Sequence, residues 1–174
     1  VYTKITISGK ICTGKSSVFR ALLKKLQWPT FSSGAYFREY AKTHDLGLNS
    51  AEEQTKKLTM EVDMMVKKKL SEPGNLLLDA WLGGVLAEKA PGVLKVLLVA
   101  DDSVRYKRFS EREKTTLSQA RKEVTLRDNS WFEKVSKIHK RDDFFDLKNY
   151  DLVIDTSDKS IAHITRLILK ALSI

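Results

Sequence analysis

Cysteine is nearly missing from this 174-residue chain: Cys12 stands alone, so no internal disulfide can form. Histidine is sparse too, limited to His44, His139 and His163, and no His/Cys cluster has zinc spacing. Any metal is therefore expected on oxygen ligands. No run approaches the roughly 20 apolar residues that cross a bilayer, and the first residues alternate like a strand where a signal peptide would be uniformly apolar. A soluble, cytoplasmic protein without membrane contacts is expected. Repeats and low-complexity linkers are lacking as well. Acidic residues are in short supply, 22 Asp+Glu against 31 Lys+Arg, and the net charge of +9 favours polyanionic partners such as nucleotides, nucleic acid or an acidic surface. No RNA-binding signature or aromatic-basic ladder accompanies that charge, which argues against nucleic acid.

What is present is enough for one α/β domain, since 174 residues at 42% hydrophobic content build a single core. Tyr2 to Ser8 alternates, with Ile5 and Ile7 on one face, and Val18, Phe19, Leu22, Leu23 and Leu26 then recur at helical spacing. Pro29 to Ser32 reads as a second strand, followed by a helix through Tyr36, Phe37, Tyr40 and Ala41 that Gly47 closes. Ser50 with Glu53 forms a capping box opening a helix through Leu58, Val62, Met65 and Leu70. Leu76 to Leu78, Val93 to Ala100 and Leu152 to Ile154 are unalternating apolar runs, as buried parallel strands require. Arg105 to Lys140 carries one apolar stripe (Leu117, Ala120, Val124, Trp131, Val135, Ile138) and predicts two helices, the second capped by Thr116 and Gln119. Ile161, Ile164, Ile168 and Leu172 mark a final amphipathic helix. Strands alternating with helices imply a parallel sheet wrapped by helices.

Between the first strand and the first helix lies Gly9-Lys10-Ile11-Cys12-Thr13-Gly14-Lys15-Ser16-Ser17. Glycines at both ends of such a loop let successive backbone N–H groups close around a phosphate at a helix start. Lys15 adds a mobile cation for β and γ phosphates, and the Ser16 hydroxyl suits the shell of a Mg²⁺ ion. Cys12 reads either as a redox-sensitive thiol or as a loop-filling residue.

Ligands of open parallel sheets gather at the carboxyl ends of the strands, where Ser33-Gly34, Asp79, Asp101 and Asp155 fall. Asp79 is placed either to orient Mg²⁺ or to cap a helix. Arg38, one turn into its helix, is either a bidentate grip on a second phosphate or a surface arginine. Arg105, Arg108, Arg112, Arg121 and Arg127 crowd the two-helix segment and form either a cationic lid over transferring phosphate or a solvated face.

Taken in order and spacing, these blocks resemble the cytidylate kinase family, in particular its short archaeal-type branch among the nucleoside monophosphate kinases. The resemblance runs through ITISG with the phosphate loop, FSSGAYFREYA, Val62-Asp63, LLLDAWLGG, the Arg105 to Arg112 helix, Arg127-Asp128 and YDLVIDTS. It implies a three-layer α/β/α P-loop kinase with a five-stranded parallel sheet. CORE would span about 1–32, 74–104 and 142–174, a helical NMP-binding segment 33–73 and a helical LID 105–141. It implies transfer of the ATP γ-phosphate to CMP or dCMP with Mg²⁺. A monomer is expected. Gly9 to Ser17 and Arg108 would bind ATP. Ser16 and Asp79 would hold the metal. Lys15, Asp79, Arg112 and Arg127 would be catalytic, and Ser33, Gly34, Arg38, Trp81 and Asp128 would meet the acceptor. The chain departs from the family pattern at four positions, in two places. Ala80-Trp81 stands where Gly-Arg is usual, which exchanges a phosphate grip for a stacking face. Trp131 and Lys134 replace an acid and an arginine. Another acceptor, whether a different nucleotide or a small metabolite, or a weakened nucleotide-binding protein, remains the alternative.

Overall fold

Apolar runs without polar alternation become the sheet. The computed structural model describes residues 1–45 and 55–172. Five strands, β1 (Lys4–Ser8), β2 (Thr30–Ser32), β3 (Leu76–Asp79), β4 (Val93–Val99) and β5 (Leu152–Asp155), pair in the order β2-β3-β1-β4-β5, and every pairing is parallel. Parallel neighbours need crossovers, which the helices supply: α1 (Lys15–Leu26), α2 (Ser33–Thr43), α3 (Lys56–Ser71), α4 (Gly83–Leu86), α5 (Asp102–Glu113), α6 (Leu117–His139) and α7 (Ile161–Ala171).

Successive strand residues feed opposite layers. Ile5, Ile7, Leu77, Leu94, Val96 and Leu98 meet Val18 and Leu22 of α1 and Ile164 and Ile168 of α7 on one face. Leu76, Leu78 and Val93 meet Val66, Leu70, Val135 and Phe144 on the other. Ile164 and Ile168 are fully buried, and each such side chain contributes about 1.5–3 kcal/mol through burial. A smaller cluster of Phe109, Ala120 and Val124 packs with Ile11 and Cys12, tying α5 and α6 to the phosphate loop.

Several expectations shift. β1 starts at Lys4, and Lys4 and Thr6 are buried along with the isoleucines, because the central strand is covered on both faces. Thr55, whose hydroxyl accepts from the Leu58 N–H at 3.1 Å, caps α3. The Ser50/Glu53 box and Gly47 lie outside the described residues, and α2 ends with His44 as its cap. Val66 takes the core position expected of Met65. The Thr116/Gln119 capping box forms as read, but Leu117 is exposed, and the buried stripe of α6 begins at Ala120. The short helix α4 has no periodic signal of its own. Gly84 fits there because its N–H donates to Ser8 Oγ at 3.0 Å and a β-carbon would stand 2.2 Å from the Tyr150 ring.

Register sets the level of the site. Ile7 lies beside Asp79, and Asp79 beside Ser32, so the ends of β1, β3 and β2 are flush. β1 lies between β3 and β4: from β1 the chain runs to β2 and β3 on one side and then crosses to β4 and β5 on the other, the kind of switch point where open sheets bind ligands.

Candidate active site

The loop after β1 turns on residues in the left-handed region: Gly9 at φ 145°, Cys12 at 60° and Gly14 at 94°. At Gly9 a β-carbon would come 2.3 Å from the Leu98 carbonyl oxygen, so only glycine passes the neighbouring strand. Carbonyls around the loop are then taken up one after another by donors from the protein. Lys15 Nζ donates to Gly9 O at 2.6 Å and to Lys10 O at 2.8 Å. Arg105 Nε donates to Ile11 O at 2.9 Å, Arg108 Nη1 to Cys12 O at 3.3 Å, and Thr156 Oγ1 to Thr13 O at 2.9 Å. The Gly14 carbonyl receives the first N–H groups of α1. With its carbonyls engaged, the loop presents N–H groups at a helix N-terminus, an anion-binding nest.

Two arginines thus brace the loop. Arg105 is 3% exposed and also donates to Asp102 and, through Nη2, to Asp128. Asp128 in turn accepts from the Ile11 N–H at 3.4 Å. The acceptor contact expected of Asp128 is therefore replaced by a loop contact, since its carboxylate faces Arg105 and Ile11. Arg108 lines the cavity beside the loop, and its guanidinium is held by Cys12 O, Thr156 Oγ1 and Thr156 O. Arg121 is exposed, as the solvated-face reading has it.

A cavity of about 810 Å³ opens at the strand ends. Its cationic part brings together Lys15, Arg38, Arg112 and Arg127 with Ser16, Ser17, Ser33, Gly34 and Asp79. Arg112 and Arg127 come from different helices yet stand over one ring, their guanidinium carbons 5.3 and 5.2 Å from the Phe109 centroid. Gly34 leaves the Arg38 guanidinium its space, as a β-carbon there would lie 3.3 Å from Arg38 Nη1. Asp79 caps no helix: Leu82 occupies the cap of α4, and Asp79 Oδ2 accepts from Ser32 Oγ at 3.2 Å. Burial raises the Asp79 carboxyl above its ordinary value, against the pull of Lys15, the Ser32 hydroxyl and Arg38. Burial likewise lowers the Lys15 ammonium, against Asp79. It raises the Cys12 thiol despite Arg112 and Arg105, which disfavours the thiolate form.

The other part of the cavity is aromatic and holds, beside Trp81 and Trp131, two residues to which sequence reasoning gave no role, Phe37 and Asp63. Phe37, Trp81 and Trp131 line it. Trp81 stacks on Trp131 at 6.2 Å and meets Phe145 edge-on at 4.6 Å, and Phe37 meets Trp131 at 5.7 Å. Trp81 Nε1 is buried with no partner among the described residues. Asp63 of α3 faces the same cavity, and its Oδ2 lies 2.8 Å from His139 Nε2 at the end of α6. Phe37 and Asp63 sat within blocks already singled out, but a partner 76 residues away leaves no signal in the chain.

Residues 32–158 match the model of the cytidylate kinase-like family. The chain belongs to that family. This kinase is 33% identical over 156 residues to the cytidylate kinase of Methanothermobacter thermautotrophicus, covering 88% of this chain and 94% of that one. It is also 33% identical over 176 residues to an S-adenosylmethionine-dependent nucleotide dehydratase of Lacinutrix mariniflava, spanning 97% of this chain but only 35% of that longer protein. Among solved structures, shikimate kinase from Bacteroides thetaiotaomicron superposes with a TM-score of 0.63 at 14% identity, over 99% of each chain, which gives the P-loop kinase fold. The kinase is an ATP-dependent phosphotransferase. No helix among the described residues is long and apolar enough to cross a membrane.

Proposed function

We propose that this kinase transfers the ATP γ-phosphate to a nucleoside monophosphate, CMP or dCMP. The observation that carries the reading is the two-part cavity: cations from four segments converge between a phosphate-binding nest and an aromatic wall. Two nucleotides set phosphate to phosphate have that charge pattern, flat and neutral at the outer ends and anionic in the middle. The relative named a nucleotide dehydratase acts on nucleotides, which supports a nucleotide over a sugar as acceptor.

In this reading the nest at Gly9 to Ser17 holds the ATP phosphates, and Lys15 swings from the Gly9 and Lys10 carbonyls to the β and γ oxygens. Arg38 fixes the acceptor phosphate in line, with Ser33 and Gly34 shaping that turn. Arg112 and Arg127 neutralise charge on the transferring group, where transfer is mostly positioning and electrostatics. The donor set fits Mg²⁺: one hydroxyl (Ser16) and one carboxylate (Asp79) leave places for phosphate oxygens and water, as this ion requires. When bound, the ion would neutralise phosphate charge. Segment 33–73 would carry the acceptor, and 105–141 would close as a LID, with 1–32, 74–104 and 142–174 as CORE.

Coupled measurement of ADP release with ATP, Mg²⁺ and each common nucleoside monophosphate tests the reading. Turnover highest with CMP or dCMP is expected, and no acceptor-dependent turnover would refute it. Trp81 supports a second reading, a different acceptor, because an indole replaces the usual arginine. A gain of CMP activity in Trp81→Arg supports the first reading, and loss of all activity supports the second.

A further inference from the structure

The proposed function gives no role to Asp63, a charged group of the cavity wall. Asp63 lies among cavity-lining residues, its side chain 13% exposed, and an acid there repels the phosphates that the rest of the site attracts. It is not adrift. Thr59 and Val66, one turn to either side on α3, line the same wall, and His139 Nε2 holds Oδ2 at 2.8 Å. His139 packs on Phe144, a fully buried ring that also meets Trp81, so the anchor of the carboxylate is joined through the core to Trp81, Trp131 and Phe37, which line the same cavity as Asp63. A fixed hydrogen-bond acceptor beside stacking faces suits a flat, neutral, N–H-bearing ring, and it suits no anion.

Resting on the nucleoside monophosphate reading, we infer that Asp63 is the base-reading group of the acceptor site, accepting a hydrogen bond from the exocyclic amine of an aminopyrimidine, with His139 as its positioning residue. Cytosine and uracil have the same outline and differ at this edge, amine against carbonyl. A carboxylate attracts the amine and repels the carbonyl oxygen. A buried charge makes that difference large, because a mismatched group leaves the carboxylate without its partner. His139 fixes one carboxylate oxygen from α6, so the reader is oriented before the base arrives.

The test is steady-state kinetics of the full chain at saturating Mg²⁺-ATP with CMP and with UMP, for wild type, Asp63→Ala, Asp63→Asn and His139→Gln. The dissociation constant of a non-hydrolysable ATP analogue, measured on each variant, reports intact folding. Wild type is expected to prefer CMP by about 10- to 100-fold in kcat/KM. Asp63→Ala should lose that preference by weakening CMP while UMP stays within about two-fold. Asp63→Asn, which keeps the shape and adds an N–H donor, should move preference toward UMP, and His139→Gln should fall between wild type and Asp63→Ala. A retained preference in Asp63→Ala, or an equal loss on both acceptors, overturns the inference. Should Asp63→Ala fail to bind the ATP analogue, Asp63→Asn decides: an unmoved CMP:UMP ratio overturns it. Wild type inactive with every monophosphate would refute the proposed function and the base reader with it. Active wild type whose ratio ignores Asp63 refutes the base reader alone.

Discussion

Removing Arg105 should destabilise this kinase far more than removing Arg105 and Asp128 together. Their side chains are 4% and 10% exposed, and the guanidinium Nη2 meets Asp128 Oδ2. Truncating one member strands a buried charge, which costs about 3–5 kcal/mol, whereas replacing both with apolar side chains of similar volume is near neutral. The Asp102 contact adds little, because that carboxylate is 65% exposed. For a chain of this size each kcal/mol shifts Tm by roughly 2–4 °C. Arg105→Met and Asp128→Leu alone are thus expected to lower Tm by roughly 6–20 °C, and the double variant by much less. Ile11 gives a second readout. It loses its carbonyl partner and its N–H partner in the double variant, so KM for ATP should stay raised after Tm has recovered. Thermal denaturation with ATP kinetics on all four proteins completes the cycle. Single effects below about 1 kcal/mol that simply add would refute the reasoning.

Asp79→Asn should raise stability while lowering activity. The folded carboxyl binds its proton more tightly than the unfolded chain does, so stability falls as pH rises from the ordinary carboxylate value through the raised one. The Tm gain of the variant should therefore grow from pH 4 to pH 7 in a scan, reaching a few degrees. Gly9→Ala places a β-carbon 2.3 Å from the Leu98 carbonyl and should distort the nest, reducing ATP-analogue affinity at least ten-fold in a binding titration. Burial raises the Cys12 thiol, so its alkylation at pH 8 should run slower than that of a free thiol, and denaturant should abolish the difference.

Contiguous features were legible in the chain. Gly9 to Ser17 carries its chemistry within one turn, and the Leu76–Leu78 run needs no partner to announce a buried strand. The Thr116/Gln119 box is local as well. Alternation misled at β1, where a strand buried on both faces hides its polar residues under helices that the pattern of Tyr2 to Ser8 does not encode. Asp128 misled differently. Its neighbour Arg127 lines the cavity, but a helix turns successive side chains by about 100°, so adjacent residues serve different sites. The Asp63–His139 pair, the Thr156 brace and the Gly84–Tyr150 contact arise only when segments 66 to 143 residues apart meet.

The aromatic wall makes the cavity visible to light. Of three tryptophans, Trp81 and Trp131 stack within the cavity wall, while Trp28 packs in the opposite layer with α1 and α7. Ultraviolet excitation of a Trp28→Phe variant would leave two coupled indoles at the wall proposed to receive a flat ligand. Occupancy would then register as a change in emission from the protein itself, titratable without a label, a coupling enzyme or turnover.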